Sequence, residues 1–118
     1  MISPDGKFLA QVLAGPHGTS LHLFSIANGS DVQIVPPGDG CCQSPSFSAD
    51  SSAVYFLRNR VLQAVPVLGG EIRTIAAHAC SGAGFSPDGS HIAYIISTLP
   101  NTSLVVARAD GADPRHLY

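Results

Sequence analysis

A chain of 118 residues that is 45% hydrophobic and only 12% charged, with 12 glycines and 9 prolines, has the composition of many short strands joined by tight turns, which excludes a disordered segment. Its net charge of −2 and six scattered lysines and arginines form no basic stripe, so nucleic acid is not an expected partner. No stretch reaches membrane-spanning length and Met1 runs almost at once into a turn, so neither a membrane segment nor a targeting signal is expected.

The elements come in a repeating order. Ser3-Pro4-Asp5-Gly6 is a turn, because Pro4 presets φ, Asp5 bonds neighbouring amides and Gly6 accepts a positive φ. Phe8 to Leu13 and Leu21 to Ile26 follow as strands, then the hairpin dipeptide Asn28-Gly29 and a short strand ending at Val35. A new strand, Gln43 to Phe47, leads into Ser48-Ala49-Asp50-Ser51, after which Ala53 to Leu57 and Val61 to Val67 precede Gly69-Gly70 and a strand ending at Ile75. The third round reads Ser81 to Phe85, Ser86-Pro87-Asp88-Gly89, His91 to Ile96, Leu104 to Ala109, Asp110-Gly111 and a strand ending at Leu117.

From Asp5 to Asp50 is 45 residues and from Asp50 to Asp88 is 38, while Asn28 to Gly69 and Gly69 to Asp110 are 41 each. Two unrelated turn classes thus share a period of about forty residues. Four antiparallel strands per repeat make an all-β chain, a β-propeller fragment of nearly three four-stranded blades, part of a six- to eight-bladed ring. The blades are assigned to residues 1–38, 39–78 and 79–118, the first lacking its innermost strand. In the second, Ala49 and Ser51 replace the proline and glycine of the turn and Asn59-Arg60 lacks a glycine, so its first hairpin is expected to be looser.

In such a blade the repeating turns share one face of the disc, and the segments that differ between blades share the other. That second face gathers His17, Asp39, Arg58, Arg60, His78 and Asn101, a polar set suited to a peptide or small anionic ligand. Asp5, Asp50 and Asp88 stabilise turns and form no carboxylate cluster. His22, His91 and His116 are given no chemistry, and no catalytic motif, cofactor or metal site is expected. Cys42 and Cys80, each five residues ahead of a phenylalanine, are expected to be buried structural thiols, with a soft metal site as the minor alternative. Adjacent Cys41 and Cys42 are not expected to bridge, because such a link is strained.

Phe85 to Tyr94, reading FSPDGSHIAY, resembles the TolB-type, WD-like propeller repeat. Val65-Pro66-Val67-Leu68-Gly69-Gly70 resembles the blades appended to bacterial receptor-type serine/threonine protein kinases. The resemblance implies a non-catalytic interaction or sensor module in a periplasmic or extracytoplasmic setting, with a protein or peptide partner. Three alternatives stand beside it: the propeller behind a kinase domain, the gating propeller of a prolyl-oligopeptidase-like peptidase, or an envelope-docking protein of the TolB kind. Three blades in an arc leave open sheet faces, to be covered by further blades of the same polypeptide or by a homodimer that closes a ring.

Overall fold

The computed structural model describes residues 1–38, 40–98 and 101–117. Asp39, one of the candidate site residues, lies outside the described residues. The strands are β1 (Phe8–Gly15), β2 (Gly18–Ser25), β3 (Asp31–Gly38), β4 (Cys41–Phe47), β5 (Ala53–Arg58), β6 (Val61–Pro66), β7 (Arg73–Ala76), β8 (Gly84–Phe85), β9 (His91–Thr98), β10 (Asn101–Arg108) and β11 (Arg115–His116). They form three antiparallel sheets in the orders β1-β2-β3, β4-β5-β6-β7 and β8-β9-β10-β11, an arc of a β-propeller.

One turn recurs at the head of each sheet with nearly the same geometry. Ser3, Ser48 and Ser86 each donate a hydroxyl hydrogen bond of 2.6 Å to the carboxylate two residues on, that of Asp5, Asp50 or Asp88. Each hydroxyl also accepts the amide of Phe8, Ala53 or His91 at 3.0–3.1 Å, and each carboxylate accepts the amide of Lys7, Ser52 or Ser90 at 3.0 Å. Charge-assisted bonds favour the ionised carboxylate. The Ser48 hydroxyl, then the Ser52 hydroxyl and amide, lower Asp50 to about 2. Ser3 and Ser86 lead in holding Asp5 and Asp88 below the ordinary range.

Because these carboxyls bind protons more weakly folded than unfolded, their stabilisation is complete above the unfolded value near pH 4 and is lost as pH falls through the folded value, about 2 for Asp50. The urea midpoint is therefore expected to stay level above about pH 5 and to drop between about pH 4 and 2. A midpoint that is flat through that window would refute the role assigned to these turns.

The middle sheet is buried on both faces. Val54, Phe56 and Val65 pack with Ala10, Leu21, Leu23 and Val35 of the first sheet, while Tyr55, Leu57, Leu62 and Ala64 pack with Ile92, Tyr94, Val105 and Ala107 of the third. Alternate side chains of a strand point to opposite faces, so β5 needs an unbroken apolar run where a half-exposed strand would alternate. The Tyr55 and Phe85 rings meet edge to face with centroids 4.9 Å apart.

The second turn is no looser than the others. Ser51 donates its amide to the Ser48 carbonyl at 2.9 Å, matching Gly6 to Ser3 and Gly89 to Ser86. Both departures from the repeat pattern serve contacts between sheets. Ser51 takes φ +64°, and its hydroxyl accepts the Asp5 amide at 3.1 Å. Ala49 lies 3.2 Å from where a Cβ on Gly89 would stand, a gap that a bulkier side chain would crowd. The Asn59-Arg60 turn forms without glycine, at φ +50° and +66°, the hand that a two-residue hairpin favours.

Other expectations are corrected. The innermost strand of the third sheet covers only Gly84–Phe85 instead of Ser81 to Phe85, because the Ser81 hydroxyl takes the Ile95 amide at 2.9 Å in place of a main-chain carbonyl. That displacement leaves Cys80 exposed, whereas its counterpart Cys42 is buried. Cys41 and Cys42 are joined as a disulfide where Gly40, at φ +71°, turns the chain into β4. The first sheet lacks a named innermost strand, although Ile2 bridges Leu9 at that position.

Candidate functional site

The face opposite the repeating turns holds, among the described residues, the β1–β2 and β5–β6 hairpin ends, the facing ends of β9 and β10 and the β7–β8 link. His17 sits exposed at the first hairpin and Asn101, paired with Thr98, opens β10 at the last described one. Arg58, Arg60 and His78 stand at the two joints of the second sheet, Arg60 and His78 against the third sheet and Arg58 against the first. Arg60 donates from Nη2 to the Ser97 carbonyl at 2.7 Å, its own carbonyl accepts the Ala79 amide at 2.8 Å, and the His78 carbonyl accepts the Ser97 amide at 2.9 Å. His78 holds φ +59° to do so.

Arg58 reaches the other way, donating from Nη2 to the Pro36 carbonyl of the first sheet at 3.4 Å, the long end of a hydrogen bond. Each arginine therefore spends one N–H on a neighbouring sheet; the Nε of Arg58 is buried without a partner, so what either offers a ligand is its remaining Nη donors. The Thr19 hydroxyl donates to the Cys41 carbonyl beside this face, and Gly40 accepts the Asn59 amide at 3.2 Å. The arrangement is a row of cationic and amide donors on a main chain that is tied down at each joint.

These tethers carry no sequence signature, because a main-chain carbonyl is present at every residue. The same holds for Tyr55, whose hydroxyl donates to the Ala109 carbonyl and whose burial raises its pKa. Gly111, singled out as a hairpin residue, has a second duty: a Cβ there would stand 2.7 Å from the Ile75 carbonyl, so only glycine lets the third sheet's turn approach the second.

The turn face is different in kind. A cleft of about 260 Å3 between the second and third sheets is lined by Ser48, Asp50, Tyr55, Arg73, Asp88 and Asp110 among others. Among the described residues no group of three or more His, Cys, Asp or Glu is placed to hold a metal. Cys42 is paired with Cys41, and Cys80 stands exposed. His22 is a structural imidazole, 3.1 Å from both the Asp31 carboxylate and the Ser20 hydroxyl.

No family model matches the chain, and no curated protein matches it in sequence. Solved structures do. A protein assigned as TolB in Agrobacterium tumefaciens superposes with a TM-score of 0.81 at 20% identity, over 99% of this chain and 47% of that one. TolB from Acinetobacter baumannii gives 0.78 at 15% identity, over 98% and 31%. Oligogalacturonate lyase from Vibrio parahaemolyticus gives 0.77 at 13% identity, over 99% and 38%. The chain thus spans less than half the length of each of these structures. An enzyme stands among them, so what they share with this chain is the fold: it is an arc of a β-propeller like theirs.

Proposed function

We propose that the chain is a non-catalytic propeller module that docks a protein partner through an extended acidic peptide laid across its loop face. One observation carries the reading: Arg58 and Arg60 are anchored at the sheet joints by bonds to main-chain carbonyls, with the main chain of His78 tied beside them, which holds two cationic forks in place in advance of binding. His17 and Asn101 flank them at the hairpin ends, and the ligand's carboxylates would take the free N–H donors. The similarity to TolB-type folds supports a periplasmic or extracytoplasmic setting. The stretch from Val65 to Gly70, on β6 and the turn after it, supports a second reading as the propeller region of a receptor-type kinase.

Fluorescence anisotropy with a labelled glutamate-rich peptide tests the proposal against a lysine-rich peptide of equal length. Binding is expected only for the acidic probe and is expected to weaken as salt rises. The pair Arg58→Ala and Arg60→Ala together is expected to cost about tenfold or more in affinity with an unchanged far-ultraviolet circular dichroism spectrum. Equal binding of both probes, or of neither, would overturn the reading.

A further inference from the structure

The cleft of about 260 Å3 on the turn face lies at an inner joint of the arc, between the second and third sheets, and it is lined by charges of both signs. Asp50, Asp88 and Asp110 border it, and each takes the hydrogen bonds of its own turn on Oδ1, which leaves Oδ2 open among the described residues. Ser48 and Ser86 lead in holding the first two carboxyls ionised. Arg73, at the start of β7, borders the same cleft, and its guanidinium is in no hydrogen bond or ion pair among the described residues. Burial leads in raising the Tyr55 hydroxyl, and the charges of Arg73, Asp50 and Asp110 also act on it, so these three are gathered around one group. Among the described residues no three acidic groups converge on a point where a metal ion would sit, so the negative charge is spread along the cleft.

The joint between the first and second sheets shows what is particular to this one. Counted from the turn serine, the place of Tyr55 is held there by Ala10; counted from the hairpin dipeptide, the places of Arg73 and Asp110 are held by Val32 and Gly69. The strand pairing agrees, because Arg73 lies opposite Ala64 as Val32 lies opposite Leu23. Ser51, whose hydroxyl accepts the Asp5 amide at 3.1 Å and draws the first two sheets together, has Gly89 in its place at the second joint. The first joint is thus closed by a bond and uncharged at these places. The second lacks that bond and carries a phenol, a guanidinium and a carboxylate, which the first joint holds together without.

We infer that this cleft binds a free diamino acid, a small zwitterion with two cationic groups and one carboxylate. The ligand's carboxylate takes the Arg73 guanidinium, and its ammonium groups take the open oxygens of Asp50, Asp88 and Asp110. Size agrees, since about 260 Å3 falls just below the roughly 300–1,000 Å3 of pockets for drug-sized ligands. Charge agrees as well: three carboxylates against one guanidinium leave a negative excess that a cationic zwitterion offsets and an acidic one does not. Arg73 is engaged with none of the carboxylates, so the ligand breaks no ion pair on entering. A lysine inside a peptide lacks the free carboxylate that Arg73 selects.

Isothermal titration calorimetry on the 118-residue chain tests the inference, with L-lysine as the probe and L-glutamate and 1,5-diaminopentane as controls. Heat of binding is expected for L-lysine and not for L-glutamate. The diamine, which is lysine without its carboxylate, is expected to bind about tenfold more weakly than L-lysine. Arg73→Gln, at an exposed position, is expected to bring L-lysine down to the affinity of the diamine and to leave the diamine no weaker. Asp110→Asn keeps the Oδ1 that accepts the Ala112 amide and is expected to weaken both ligands by about tenfold. Absence of L-lysine binding, equal binding of the diamine, or an Arg73→Gln variant that holds L-lysine as the parent does would overturn it. So would displacement of L-lysine by calcium at equal concentration, which would make the carboxylates a plain cation site. The cleft lies on the face opposite Arg58 and Arg60, so this binding and the docking of an acidic peptide succeed or fail separately.

Discussion

Phe56→Ala is expected to lower the unfolding free energy by about 3–5 kcal/mol, against about 5–15 kcal/mol for an ordinary domain. The side chain is fully buried on β5, in the cluster that joins the first and second sheets, beside Val54 and Val65. Truncation leaves a void between two sheets whose backbones are held apart by their own ladders, so collapse can recover little of the loss. Val12→Ala, at a partly exposed position of β1, gives the comparison and is expected to cost under about 1 kcal/mol. Urea denaturation followed by circular dichroism checks both. A Phe56→Ala midpoint within error of the parent would show that the first two sheets are not packed as described.

Ser48→Ala is expected to cost about 1–3 kcal/mol, well beyond the loss of one ordinary hydrogen bond. The hydroxyl is at once donor to the Asp50 carboxylate at 2.6 Å and acceptor for the Ala53 and Ser52 amides at 3.1 and 3.2 Å. Ser48 is 9% exposed, so water cannot readily replace what is removed. The same change at Ser86, which makes equivalent bonds in a more open turn, is expected to cost about half as much or less. Thermal melts of the two variants separate burial from turn geometry, and equal losses would assign the whole effect to the turn.

Much of the fold could be read before any coordinates because it rests on local chemistry. Serine, aspartate and glycine at fixed spacing make a turn by themselves, and the apolar run Ala53 to Leu57 announces a strand. What could not be read depends on neighbours. Ala49 and Ser51 look like losses from a pattern until the adjoining turns of Asp5 and Gly89 are in place. The two-residue β8 goes with a single serine hydroxyl that takes the Ile95 amide in place of a carbonyl. For the candidate site, the sequence placed Arg58, Arg60 and His78 on one face, but nothing in it showed that both arginines are partly spent on holding sheets together.

The tethers between sheets share one habit: Arg58, Arg60, Tyr55 and Thr19 all bond to carbonyl oxygens of the neighbour, and Ser51 to its amide. A joint that grips only the peptide backbone places no demand on the identity of the residue it grips. Neighbouring repeats can then diverge, duplicate or trade places in evolution without any compensating change across the seam, provided that the backbone path and the apolar filling survive. Such a seam lets a chain lengthen blade by blade while each loop set evolves toward its own ligand.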